Sequence, residues 1–142
     1  MTTCPALSRD YRKALSAVRD LRTTSMVLWG VWVKLLLAQY NMPGHSITAA
    51  QLAEAAGLSS DRVARSRYDD LAQRIAEQLS FTPENDPANH KPLWWTTIAH
   101  GADEQQSSPH FQFVMNAELA EAIRLMGWVK PVIAAADGAA AS

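Results

Sequence analysis

Apolar residues along the chain fall into a few periodic runs, and each run predicts an element. Leu7, Tyr11, Ala14 with Leu15, Val18 and Leu21 recur every three or four positions, which marks one face of a helix. Arg9, Arg12, Lys13, Ser16 and Arg19 share the opposite face. The run Arg22-Thr-Thr-Ser25 offers capping hydroxyls, and Ser25 as N-cap opens a second helix from Met26 to about Tyr40. That helix is apolar nearly all round. Asn41-Met-Pro43-Gly44 stops it, because proline lacks a donor and glycine admits a left-handed turn. Thr48-Ala-Ala-Gln51 has the spacing of a capping box and opens a short helix, Ala49 to Ala56, with Leu52, Ala53 and Ala56 facing inward. Gly57 closes it. A helix restarts in Leu58-Ser59-Ser60-Asp61, puts Ala64, Tyr68, Leu71 and Ile75 on one face, and runs to about Leu79.

The periodicity then changes. Pro83, Pro87 and Pro92 make residues 82–92 a loop. Leu93 to His100 and His110 to Met115 are rich in aromatic and β-branched residues and read as two strands of a hairpin, joined by Gly101 to Pro109. On this reading Trp94 and Trp95 point to opposite faces of their strand, one into the core and the other outward. Asn116 is placed to cap a last helix, Ala117 to Met126, with Glu118 in its first turn, and Gly127 ends it. From Pro131 to Ser142 the chain is alanine-rich and reads as a mobile tail.

A chain of 142 residues is long enough to fold around one core without disulfide or metal. Apolar residues at 48% exclude wholesale disorder, whereas charged residues at 19% leave a surface short of charge, which suggests that a partner covers part of it. Cys4 is the single cysteine, so neither an internal disulfide nor a cysteine-based zinc cage can form. The start of the chain lacks a signal-peptide core, and the longest apolar stretch, Met26 to Ala38, is too short for a membrane span. The expected location is the cytoplasm, with no membrane partner.

The net charge of −1 hides an asymmetry: residues 1–40 carry +4, residues 41–80 carry −1 and residues 81–142 carry −4. The total argues against a protein that coats nucleic acid non-specifically, while the N-terminal excess permits local contact.

The order helix, short strand, helix, turn, helix, hairpin, helix, together with the segment from Ile47 to Ser60, resembles the bacterial winged helix-turn-helix transcription regulators. The capped start at Thr48, Leu52-Ala53, Gly57-Leu58 and the serine-rich restart carry the resemblance. It implies a mainly helical fold with a small β-hairpin. The division is then a basic amphipathic helix at residues 1–24, the winged-helix domain at 25–128 and a tail at 129–142. Ala53 is small where two helices cross closely, Leu58 pins the turn to the core, and Ser59 or Ser60 caps the recognition helix. The resemblance further implies a dimeric regulator that reads the major groove of double-stranded DNA with the helix starting near Ser60. Ser59, Ser60, Arg62, Arg65, Ser66 and Arg67 are then the candidate DNA contacts, with Arg62, Arg65 and Ser66 on the outward face. Arg67 and Arg74 lie further round. Arg9, Arg12, Lys13 and Arg19 form a second basic face, and the first and last helices (Leu119, Ile123, Met126, Trp128) are the candidate dimer interface.

Two features depart from that family. The hairpin tip carries Asp103 and Glu104 and no base, and the third helix carries Asp61, Asp69 and Asp70. Acids beside phosphates repel, so either DNA contact is confined to the helix tip and the N-terminal basic face, or the module binds a protein instead, as a non-enzymatic adaptor or inhibitor of mobile-element origin. His90, His100 and His110 are spaced by ten residues, which matches no zinc motif. No phosphate loop, catalytic triad order or nucleophile elbow is present. No catalytic residue, metal or cofactor is expected.

Overall fold

In a computed structural model, which describes residues 4–101 and 111–128, five α-helices enclose a small three-stranded antiparallel sheet. The helices are α1 (Ser8–Arg19), α2 (Met26–Asn41), α3 (Ala49–Ala56), α4 (Asp61–Leu79) and α5 (Ala117–Leu125). The strands are β1 (Ser46–Thr48), β2 (Ala99–Gly101) and β3 (Gln112–Met115), in the order β1-β3-β2. Ile47 and Gly101 both register on Phe113. The layout is that of a winged helix-turn-helix with a helix added at each end.

The capping signals work as the residue types dictate. Ser25 Oγ accepts the Leu28 amide at 3.0 Å, and Thr48 and Gln51 exchange side-chain and backbone bonds at 3.2 and 2.9 Å. Gly57 ends α3 at φ 68°, in the left-handed region that a Cβ penalises. The following amide, that of Leu58, donates to Ala53 O at 2.9 Å and tucks Leu58 against the core.

Phe113 sits at the centre of the core, with Tyr68, Trp95 and Phe111 rings all between 5.0 and 5.3 Å away. Two polar networks are buried around it. The Tyr68 hydroxyl donates to Gln39 Oε1 at 2.7 Å, and Gln39 Nε2 donates to Phe113 O at 2.9 Å, which ties α4 to α2 and β3. The Tyr11 hydroxyl donates to Thr97 O at 2.6 Å and accepts from Asn116 Nδ2 at 3.2 Å. Burial holds both phenols well above the ordinary tyrosine pKa.

Four expectations need correction. Leu93 to His100 is not one strand: Trp94–Thr97 forms a 3-10 turn, and only Ala99–Gly101 pairs with β3. Thr96 donates to Leu93 O through both its amide (3.0 Å) and its hydroxyl (2.7 Å), and the turn drops Trp95 onto Phe111 and Phe113. Packing has overridden β-propensity there. Asn116 occupies the N-cap position of α5 without capping it: its Nδ2 donates to Tyr11 Oη and Thr97 O, and its Oδ1 faces His100 Nδ1 at 3.5 Å rather than the first amides of the helix. Leu7 lies outside the buried face of α1 and is 47% exposed. Of the candidate dimer interface, Leu119 and Ile123 are buried with Tyr11, Leu15 and Val18 in the core within the chain, whereas Met126 and Trp128 are only partly buried. The acidic hairpin tip at Asp103 and Glu104, His110 and the tail from Pro131 lie outside the described residues.

Candidate nucleic-acid interface

Helix α4 begins where a recognition helix should. Ser60 stands in extended conformation (φ −159°, ψ 164°) and its hydroxyl accepts the Val63 amide at 3.2 Å, which leaves Ser59 outside the cap. Val63 is half-buried and Ala64, Tyr68, Leu71 and Ile75 are fully buried, so the packed side of α4 fixes which residues face outward. Arg62 and Ser66 are exposed. They share the outer side of the first two turns.

Arg65 behaves differently. It is half-buried, and its guanidinium lies 5.5 Å from the Phe113 ring centroid. One turn on, Asp69 attracts it electrostatically. Asp69 is itself pressed into the structure: burial pushes its carboxyl up to about 6, against the opposing pull of Arg65, with Asp70 adding to the rise and the Trp95 backbone amide opposing it. Its Oδ1 has no hydrogen-bond partner. Arg65 and Asp69 line a cavity of about 430 Å³ together with Lys91 and Trp94 from the following loop. Sequence spacing placed Arg65 with Arg62 on one outward face, but the ring of Phe113, brought in from β3, claims it. No local signal in α4 reports that contact.

Arg67 and Arg74 are also drawn inward to different degrees. Arg67 is half-buried, and its backbone carbonyl accepts from the Trp32 indole at 3.1 Å. Arg74 donates to Thr23 Oγ1 at 2.8 Å and lies 6.0 Å from the Trp32 ring. On α1, Arg9, Arg12 and Lys13 are exposed and border one shallow cavity with Ser16, while Arg19 pairs with Asp20 at 3.1 Å.

The two basic groups are not joined into one surface. Lys13 and Ala14 share a cavity with Gln78 to Phe81 at the C-terminal end of α4. A helix of 19 residues is about 28 Å long, so this basic face lies about a full helix length from Ser60.

Among the described residues no cluster of His, Cys, Asp and Glu is arranged to hold a metal ion, and His100 approaches Asn116 Oδ1 at 3.5 Å. No helix among them is long and apolar enough to cross a membrane. Comparison of the chain with protein-family models, with curated proteins and with solved structures finds no match.

Proposed function

We propose that the protein is a double-stranded DNA-binding winged helix, a transcription regulator that presents the first two turns of α4 to the major groove. The observation that carries this reading is the exposed N-terminal end of α4, capped by Ser60, with Arg62 and Ser66 on its outer side and a tight left-handed turn at Gly57 before it. The positive end of the α4 dipole also lies at this tip and favours phosphate, while the Arg62 and Val63 amides there are taken by Asp61 Oδ1 and Ser60 Oγ. Arg62 serves as the base-edge or phosphate donor and Ser59 and Ser66 as phosphate donors; Arg65 needs release from Phe113 before it can join them.

The test is fluorescence anisotropy of duplex DNA over a salt series. Binding is expected to weaken steeply as salt rises, and Arg62→Ala to lower the log–log slope by about one unit with the fold intact. Duplex affinity at background level near 0.1 M salt would sink the reading. The second reading, a non-enzymatic protein-binding module, draws on the acids of the same helix. Asp61 is exposed in the first turn and Asp70 about two and a half turns further along α4, and both repel phosphate.

A further inference from the structure

One cavity bordered by described residues lies away from the tip of α4. It measures about 630 Å³, within the usual range of small-molecule sites, and sits between the N-terminal strap (Cys4 to Ala6), α1 and the end of α4. Ala14 and Ala17 of α1, Leu79 at the end of α4 and Phe81 just beyond it supply apolar wall; Asp10, Lys13 and Gln78 supply the polar groups. Ala14 and Ala17 on α1 help to keep the space open, and a side chain as large as phenylalanine at position 17 would occupy much of it.

Ser80 turns left-handed at φ 55°, and the Phe81 amide donates to Ala76 O at 2.9 Å, which closes the end of α4. Asp10 Oδ2 accepts the Leu7 amide at 2.9 Å and faces the positive end of α1. Its charge is therefore engaged. Lys13 has no ion pair among the described residues, and the neighbouring Arg9 and Arg12 are exposed on the same helix. The negative end of the α4 dipole opposes an anion, but Ala76 O and Glu77 O there already accept the Ser80 and Phe81 amides. Lys13, by contrast, is a cation on the lining itself, next to a second cavity that it shares with Arg9 and Arg12. The balance favours a negative ligand.

We propose that this cavity binds a small apolar carboxylate, with the acid at Lys13 and Gln78 and the hydrocarbon body against Ala17, Leu79 and Phe81. The site is independent of whether α4 reads DNA. An aromatic ring suits Phe81 edge to face, and the alanines leave room for about two fused rings.

The test is titration of the ¹⁵N-labelled full chain with naphthoate, with naphthylmethylamine and naphthylmethanol as controls of matched shape. Naphthoate is expected to shift amide signals of Lys13 to Ala17 and Gln78 to Phe81, and to bind more tightly than either control. Lys13→Gln, on an exposed side chain that leaves the fold alone, is expected to weaken naphthoate about threefold or more and to leave the alcohol unchanged. Ala17→Phe is expected to lose all three ligands while keeping the thermal transition. Equal binding of amine and carboxylate, an unaffected Lys13→Gln variant, shifts confined to other elements, or none up to about 5 mM would each overturn the proposal.

Discussion

Asp69 is the residue whose environment departs most from what its neighbours in sequence suggest. Four residues after Arg65 on a helix, it has the spacing of an ordinary stabilising ion pair. Burial outweighs that attraction and raises its pKa from 3.8 to about 6. The folded state therefore holds the proton more tightly than the unfolded chain, and Asp69 opposes folding by an amount that grows as pH rises from about 4 to about 6 and is complete above that. Its cost is expected to fade as pH drops from 7 to 4. Asp69→Asn is expected to stabilise the protein at pH 7 by about 1–2 kcal/mol and to flatten that part of the urea-midpoint profile against pH. An Asn variant that is less stable at pH 7 would show that the Arg65 attraction outweighs burial. Tyr68 makes the opposite case, since its hydroxyl is the donor for Gln39 Oε1 in a site with no exposed surface. Tyr68→Phe is expected to cost about 1–3 kcal/mol by urea denaturation, because a buried acceptor is left without its partner.

At the scale of the element, three helix starts follow local rules and two, those of α1 and α5, do not. Ser25, Thr48 and Ser60 each cap the helix that follows them, and Ser60→Ala is expected to lower stability by about 1 kcal/mol. Helix α1 begins at Leu7, whose side chain cannot cap. Glu118, in the first turn of α5, supplies the missing acceptor by taking the Ser8 amide at 2.8 Å across 110 residues of sequence. The sequence suggested that Glu118 serves its own helix dipole, whereas the packing of α1 on α5 lets one carboxylate serve both helix starts. Glu118→Ala is accordingly expected to destabilise by about 1 kcal/mol, with amide exchange fastest at the first turn of α1. Faster exchange confined to α5 would contradict this. The segment Leu93 to His100 failed as a strand for a comparable reason: its β-branched and aromatic composition is real, but the core needed Trp95 in a turn.

At the scale of the whole molecule, α1 is part of the core rather than an attachment to it. Tyr11, Leu15 and Val18 have no exposed surface. Their burial is worth roughly 5–9 kcal/mol at ~1.5–3 each, comparable with the entire stability of a domain. Deleting residues 1–22 is therefore expected to yield an unfolded chain by circular dichroism; a cooperative thermal transition in the truncated chain would show that α1 docks on an independent domain. The outer side of α2 is the reverse case, with Met26 at 92% and Val27 at 80% exposure in a chain short of charge. The sequence by itself determined the helices and most of their caps, the left-handed turn at Gly57, the layout of strand and helix, and the exposed start of α4 with Arg62. These rest on local periodicity and on backbone needs that neighbouring residues meet. Only the tertiary structure decided that Arg65 turns onto Phe113, that Asp69 is drawn largely out of water, that Asn116 and Glu118 serve partners more than 100 positions away, and that α1 and α5 cover each other. Each of those outcomes depends on which surfaces meet, and a pairing between distant segments leaves no periodic trace in either one.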